Sequence, residues 1–275
     1  MKKEKRILTL YLIFVFAISA PIEAIWIFYG DAVAGIAPLL MLVPAIATVI
    51  LKLLFFRKQR ILGLGIGKPL YYFYAVTIPL FYIGLSYLLY WLFVPASFAG
   101  TGVLVETISN AMNIQNAPVA IIVGFAVIIL TNIPFSFGEE AGWRGLMYPI
   151  MHKLWGRDKA LIISGGIWAV WHLPALVSGV YMAGAPILYQ IPMFIIQILA
   201  LTVVASWLRM KSNSIWPAVL WHTLHNFLDQ TVFTSMTSGA YRAYFVSETG
   251  LITTLFAVVS AIVILVFGKF QKTNE

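Results

Sequence analysis

Long apolar runs alternate with short polar connections along most of the chain. A helix that crosses the hydrocarbon core of a bilayer needs about 20 predominantly apolar residues. Eight segments are long and apolar enough, namely 7–29, 32–56, 69–95, 117–147, 160–178, 187–208, 213–233 and 250–268. The pattern therefore predicts an all-α, polytopic membrane protein with about eight transmembrane helices.

Basic residues are distributed unevenly between the two sides that eight spans define. The termini and connections on one side carry 17 of the 18 Lys and Arg residues, and only Arg242 falls on the other side. Cytoplasmic segments of membrane proteins are enriched in Lys and Arg. The asymmetry supports the span count and predicts a multi-pass protein of the cell membrane with both termini in the cytoplasm.

Composition agrees with this class of protein. Hydrophobic residues make up 61% of the chain and charged residues 10%, whereas soluble domains are about 25% charged. A net charge of +8 would suggest a nucleic-acid partner in a soluble protein, but here the basic residues mark topology, so we expect a lipid bilayer and no nucleic acid. The chain has no cysteine, which excludes disulfides and thiolate chemistry.

The chain contains no low-complexity linker, so residues 1–275 are predicted to form a single membrane domain. The first segment has one alternative, a cleaved signal peptide, because a basic start and a short apolar run lead to the sequence AISA near residue 20. The apolar stretch continues to Tyr29, which favours a retained helix with Trp26 and Tyr29 at the membrane interface.

Ionisable side chains inside a membrane are costly and rare, so each is a candidate for function. The predicted spans contain Glu23, Glu139, Glu140, His172, His222, His225 and Asp229, with Asn226 as an uncharged polar neighbour.

Two adjacent glutamates in the fourth segment differ in what faces them. Residues four apart share a helix face, so Glu140 and Arg144 are predicted to form an ion pair that supports the helix end. Glu139 points about 100° away, and its neighbour four residues on is Trp143, which cannot neutralise it. Glu139 is therefore the glutamate that remains for chemistry.

Polar residues also cluster in the seventh and fifth segments. His222, Asn226 and Asp229 follow helical spacing and are predicted to form one stripe, with His225 beside it. A hydrogen-bonded packing stripe is the alternative, since membrane bundles use such contacts, but three polar residues on one face of an apolar helix argue against it. His172 is alone on the fifth segment, and a single buried His is more often structural than catalytic.

Helical rise gives the depth of the candidates. His172 lies about 18 Å and His222 about 14 Å from the start of its segment. The fourth helix should end before Pro149, because a residue that precedes proline disfavours helix. If that helix reaches Met147, Glu139 lies about 12 Å from its end. The three side chains would then line a polar cavity that opens to the cytoplasm.

Such a cavity has the parts for hydrolysing a peptide bond. A carboxylate and a His can activate a water, while a second His and an Asn can donate hydrogen bonds to an oxyanion. Zinc is the alternative, with Glu139, His172 and His222 as ligands. The His-Glu-x-x-His metal motif is missing from the chain, and an Asn suits an oxyanion site better than a zinc shell, so no cofactor is preferred.

Three short motifs resemble those of a known family. The sequence EEAGWR, from Glu139, matches a Glu-Glu-x-x-x-Arg motif; WAVWH ends in His172, with Trp168 where Phe is frequent; and HTLHN ends in Asn226. Their types and order are similar to those of the CAAX prenyl protease 2 and bacteriocin-processing family of membrane proteins, also called the CPBP or Abi family. The resemblance marks residues 117–230 as the catalytic core.

The resemblance implies an intramembrane endopeptidase that acts on a membrane-anchored protein or peptide. Carried over to this chain, Glu139 and His172 activate the water, His222 and Asn226 stabilise the oxyanion, and Glu140 and Arg144 support the site. The family's zinc-dependent and glutamate-type mechanisms both stay open, and the glutamate type is preferred.

Two other classes remain. Members of the same family without evident proteolysis are associated with bacteriocin immunity or cell-surface regulation, and buried Glu and His also serve proton-coupled transporters. His225, Asp229 and Glu23 are additional to the family motifs, and the sequence assigns no role to them.

Overall fold

The computed structural model describes residues 2–55, 62–182 and 184–270, and its regular elements are helical. The main helices are α1 (Lys2–Tyr29), α2 (Ala37–Phe55), α3 (Leu70–Phe93), α4 (Thr101–Met112), α5 (Ala117–Trp155), α6 (Arg157–Ser178), α7 (Ile187–Ser212), α8 (Trp216–Asn226), α9 (Arg242–Phe245) and α10 (Leu251–Phe267). Short 3-10 helices cover Gly30–Ile36 and Pro95–Ser97. The predicted all-α class is confirmed.

Six of these helices, α1, α2, α3, α5, α6 and α7, are long and apolar enough to cross a membrane. The eighth predicted span corresponds to α10, which is apolar but shorter. The seventh, 213–233, is divided between α8 and a π-helix over Phe227–Phe233. The chain is a multi-pass helical membrane protein, while the count of eight and the side of the termini stay predictions.

Some residues used in the topology prediction lie outside the described part of the chain. They are Phe56, the last residue of the second predicted span, and the basic residues Arg57, Lys58, Arg60 and Lys272.

The prediction that the fourth helix ends before Pro149 is wrong. Helix α5 continues to Trp155, with a π-helical segment over Trp143–Met147 in front of the proline. A π segment replaces the regular hydrogen-bond pattern by a wider turn. Pro149, which has no N–H, therefore lies in the first turn of a fresh α-helical stretch, Tyr148–Trp155, where proline is tolerated. Glu139 is therefore about 24 Å from the helix end by helical rise, not about 12 Å, so the helix end does not measure its depth relative to His172 and His222.

Helix α7 lies at the centre of the bundle. Every residue from 200 to 209 is buried, and α7 packs against α6, α8 and α10. Helices α1, α2 and α5 form the adjoining wall. The site-bearing helices α5, α6 and α8 thus converge around this central helix.

Helices α2 and α5 approach each other closely next to the paired glutamates. A Cβ atom at Gly138 would overlap the carbonyl oxygen of Met41 and lie 2.8 Å from Cα of Leu42. A Cβ atom at Gly142 would overlap Pro44 and the hydroxyl of Tyr11. Small residues permit this kind of backbone contact in membranes, and here they fix the position of the helix that carries Glu139.

Gly138→Ala is expected to lower the free energy of unfolding by about 1–3 kcal/mol, because the new methyl group meets backbone that cannot move aside without separating the helices. Thermal unfolding of the purified protein in detergent measures the change. Gly166→Ala is the matched control, since a Cβ there meets nothing within 4 Å and alanine favours helix. Equal melting temperatures for the two variants would contradict this account of the α2–α5 contact.

Candidate active site

The four residues predicted to carry the chemistry line one cavity between the helices. Its volume is about 500 Å³, and Glu139 on α5, His172 on α6, and His222 and Asn226 on α8 are all part of its wall. The structure therefore brings together side chains from three helices whose motifs lie far apart in the sequence.

Glu139 is buried but keeps one oxygen available. Its side chain is 2% exposed. Oε2 accepts hydrogen bonds from the indole Nε1 of Trp143 at 3.2 Å and of Trp168 at 2.7 Å. Oε1 makes no hydrogen bond with the described residues. The two neutral donors stabilise a carboxylate here and leave Oε1 for a ligand in the cavity.

Glu140 and Arg144 form the predicted ion pair. Nη1 of Arg144 lies 3.1 Å from Oε1 of Glu140, and both side chains are almost fully buried. The guanidinium carbon lies 4.0 Å from the ring centroid of Trp168, a cation–π contact. Nη2 of Arg144 also donates to the hydroxyl of Thr202.

Glu140 has a second partner that sequence reasoning missed. Nδ1 of His222 lies 2.9 Å from Oε1 of Glu140. An ionised carboxylate only accepts hydrogen bonds, so Nδ1 of His222 carries the proton. The pair fixes the orientation of His222 and leaves its Nε2 for the cavity.

His172 is oriented by its own helix. Its Nδ1 lies 2.9 Å from the carbonyl oxygen of Trp168. A carbonyl oxygen cannot donate, so Nδ1 carries the proton, and in the neutral ring Nε2 bears the free lone pair. The rings of Trp171, Tyr181 and Phe194 pack around the imidazole, with Tyr181 stacked on it at 5.9 Å between centroids.

The stripe predicted on the seventh segment is only partly present. His222 and Asn226 line the cavity, and His225 lines it too. Asp229 does not, because the helix changes to the π form at Phe227. The wider turn alters the angle between successive residues, and Asp229 instead accepts a hydrogen bond from the hydroxyl of Tyr87 at 2.8 Å.

A carboxylate from a connection also reaches the cavity wall. Glu248, between α9 and α10, accepts hydrogen bonds from the hydroxyl of Tyr181 and from Nε2 of Gln230. Nε2 of His225 lies 3.6 Å from it. Burial raises the pKa of the Glu248 carboxyl, but the nearby imidazole of His225 and the hydrogen bonds from Tyr181 and Gln230 outweigh burial and lower the pKa to about 2. Glu248 lies outside the predicted spans, so the search for intramembrane charges could not find it.

The cavity extends toward one end of the bundle. Trp26 and Pro38, which flank the 3-10 helix after α1, line it together with Tyr181 and Glu248 from two other connections. This end of α1 is opposite to the amino terminus. If α1 crosses the bilayer with its amino terminus in the cytoplasm, the cavity extends toward the other side. The lining at that end does not match the predicted cytoplasmic opening if the termini are cytoplasmic, and both the termini and the opening stay predictions.

The zinc alternative requires three ligands that lie close together. Within residues 2–55, 62–182 and 184–270, no three His, Asp or Glu side chains are grouped so that they could hold a metal ion together. The preference for a metal-free site stays a prediction.

Comparison with known proteins agrees with the resemblance drawn from the three motifs. Residues 115–228 match the family described as type II CAAX prenyl endopeptidase Rce1-like. The chain is 28% identical over 143 residues to a CAAX prenyl protease 2 of Methanococcus maripaludis, an alignment that covers 50% of this chain and 49% of that protein. The chain thus aligns with about half the length of this relative, and the predicted family resemblance is confirmed.

Arg144→Met is expected to lower the free energy of unfolding by about 3–5 kcal/mol, because it leaves the carboxylate of Glu140 buried with one partner fewer. Adding Glu140→Gln should restore much of the loss, since the remaining side chains are then neutral. Denaturant unfolding of the two variants measures both effects.

Arg157→Met is the matched control. Its partner Asp158 is mostly exposed, and an exposed ion pair contributes at most about 1 kcal/mol. If Arg144→Met lowers the free energy of unfolding no more than Arg157→Met does, the buried pair does not stabilise the fold.

Proposed function

We propose that this chain, similar over residues 115–228 to type II CAAX prenyl endopeptidases, is an intramembrane endopeptidase that hydrolyses a peptide bond of a membrane-anchored protein or peptide. The observation that carries the proposal is the shared cavity of Glu139, His172, His222 and Asn226. In it, Oε1 of Glu139 and Nε2 of His172 are both left without a partner among the described residues.

Glu139 and His172 activate the attacking water. As the water oxygen bonds to the carbonyl carbon of the substrate, its proton passes to this carboxylate–imidazole pair. The hydrogen bond from Nδ1 of His172 to the Trp168 carbonyl supports this role, because it leaves the Nε2 lone pair as the proton acceptor. The indole donors of Trp143 and Trp168 hold the carboxylate in position.

His222 and Asn226 stabilise the tetrahedral intermediate. The carboxamide of Asn226 donates an N–H to the developing oxyanion. His222 donates from Nε2 when its ring is protonated, while Glu140 holds its Nδ1–H. The intermediate then collapses, the C–N bond breaks, and the leaving nitrogen takes the proton held by the Glu139–His172 pair.

Glu140 and Arg144 act through their neighbours. Glu140 orients His222, while Arg144 neutralises Glu140 and packs on the ring of Trp168, which in turn holds Glu139. These contacts support the role of the two residues as positioning groups for both halves of the site.

We further propose that the site faces away from the cytoplasm in the cell membrane. The concentration of Lys and Arg on one predicted side favours cytoplasmic termini. The cavity extends toward the opposite end of α1, so the substrate enters from the non-cytoplasmic half. No cavity-lining residue comes from the described connections at the basic end.

Glu139→Gln is expected to lower the rate of cleavage by at least about a hundredfold, because the carboxamide cannot accept the water's proton. Purified protein in liposomes with a mixture of membrane-anchored peptides gives the rate, with fragments identified by mass spectrometry. Glu106→Gln is the control, since Glu106 is exposed on α4 and outside the cavity wall. Full activity of a folded Glu139→Gln protein would refute the mechanism.

Removal of metal is expected to leave cleavage unchanged. The purified protein is treated with a zinc chelator, its bound metal is measured, and the rate is compared with that of the untreated protein. The metal-dependent mechanism would replace this one if the protein binds stoichiometric zinc, loses its activity when the zinc is removed, and regains that activity when zinc is added back.

A further inference from the structure

Glu23 is a carboxylate that the hydrolysis does not use. It lies on α1, is 8% exposed, and is part of the cavity wall. Its one hydrogen bond in the described part of the chain is accepted by Oε1 from the backbone N–H of Ala175, at 3.3 Å. Oε2 therefore has neither a hydrogen-bond nor an ion-pair partner in that part, although a charge inside a membrane protein ordinarily has one.

Three carboxylates of the cavity wall have no Lys or Arg beside them in that wall. Glu23, Glu139 and Glu248 line it, while none of the lining residues is Lys or Arg. Glu248 is satisfied by Tyr181, Gln230 and His225. Glu139 is held by two indoles and belongs to the hydrolytic centre. Glu23 is the acid of this wall that has no donor side chain of its own.

Aromatic residues share the cavity wall with Glu23. Trp26 is three residues further along the same helix face and also lines the cavity, as does Trp171 on α6. A carboxylate next to indole rings is the combination that attracts an ammonium or guanidinium group, through charge and through the electron-rich ring faces.

We propose that Glu23 and Trp26 form a subsite for a Lys or Arg side chain of the peptide that is cleaved. The proposal rests on the endopeptidase function and names the class of substrate for the same cavity. The cation supplies the partner that Oε2 of Glu23 lacks, while a peptide with an acidic residue at that position is repelled.

Helix geometry gives the position of the cation relative to the cleaved bond. Glu23 contacts Ala175, which follows His172 by three residues on α6, or about 4.5 Å of helical rise. An extended peptide advances about 3.3 Å per residue. The cationic residue therefore lies within about three residues of the scissile bond, on the side of the cavity mouth.

A purely structural role for Glu23 is the competing explanation. Ala175 follows Pro174 in the chain, and Glu23 accepts a hydrogen bond from its backbone N–H. Glutamine can accept the same bond through its carbonyl oxygen. Glu23→Gln therefore separates the two explanations, because it keeps the contact between α1 and α6 and removes the charge.

The test measures binding separately from cleavage. Fluorescent membrane-anchored peptides that differ in one central residue (Lys, Gln or Glu) are titrated against the full chain in nanodiscs of uncharged phosphatidylcholine, with Glu139→Gln present to prevent hydrolysis. We expect the Lys peptide to bind about tenfold more tightly than the Gln peptide, as for a charge-assisted hydrogen bond. Adding Glu23→Gln should remove that preference without lowering the melting temperature.

Trp26→Leu provides a second variant that leaves the Ala175 contact intact. It should reduce the preference for Lys about threefold through loss of the ring. Three results would each overturn the subsite. The Lys and Gln peptides bind equally well, the Lys peptide does not bind, or the preference for Lys survives Glu23→Gln.

Cleavage by the protein with Glu139 intact keeps the two proposals apart. If the Lys and Gln peptides are cleaved equally well, the endopeptidase stands and the subsite falls. If no peptide is cleaved but the Lys preference depends on Glu23, the cation-binding site stands, while its role in an endopeptidase falls.

Discussion

A carboxylate that is completely buried among apolar helices must be neutralised by its neighbours, and Glu140 is the clearest case in this protein. Arg144 pairs with it from one turn away, and His222 reaches it from α8. Arg144 in turn contacts Thr202 on α7 and the ring of Trp168 on α6. The requirement to satisfy one charge thus joins four helices, and these include the helices that carry the proposed catalytic groups.

Local features of this site could be predicted, because they depend only on helical spacing. The Glu140–Arg144 pair follows from two residues four positions apart on one helix face. Glu139, one residue earlier, is turned about 100° away from that face by the same helical geometry. The contact between His222 and Glu140 joins residues 82 positions apart. Nothing in either motif indicates it, since only the packing of α8 against α5 determines which polar group lies opposite the imidazole.

The errors have physical causes as well. Apolar runs predicted the helices but not where they end, and Pro149 was taken as an end although a π segment accommodates it. Asp229 was assigned to the stripe of His222 by assuming a uniform α-helical repeat, which fails at Phe227. Glu248 was missed because a connection folds back into the bundle, a tertiary event that hydropathy does not report.

The π segments give the site a property of their own. Two catalytic helices change form directly after their functional residues, α5 after Gly142 and α8 after Asn226. Each change shifts the rotational phase of the residues behind it relative to that of the residues in front of it. On α5 the buried residues Tyr148 and Met151 therefore lie on a face that an unbroken α-helix would not give them. The wider turn thus lets one helix present Glu139 to the cavity and still pack its far end into the bundle.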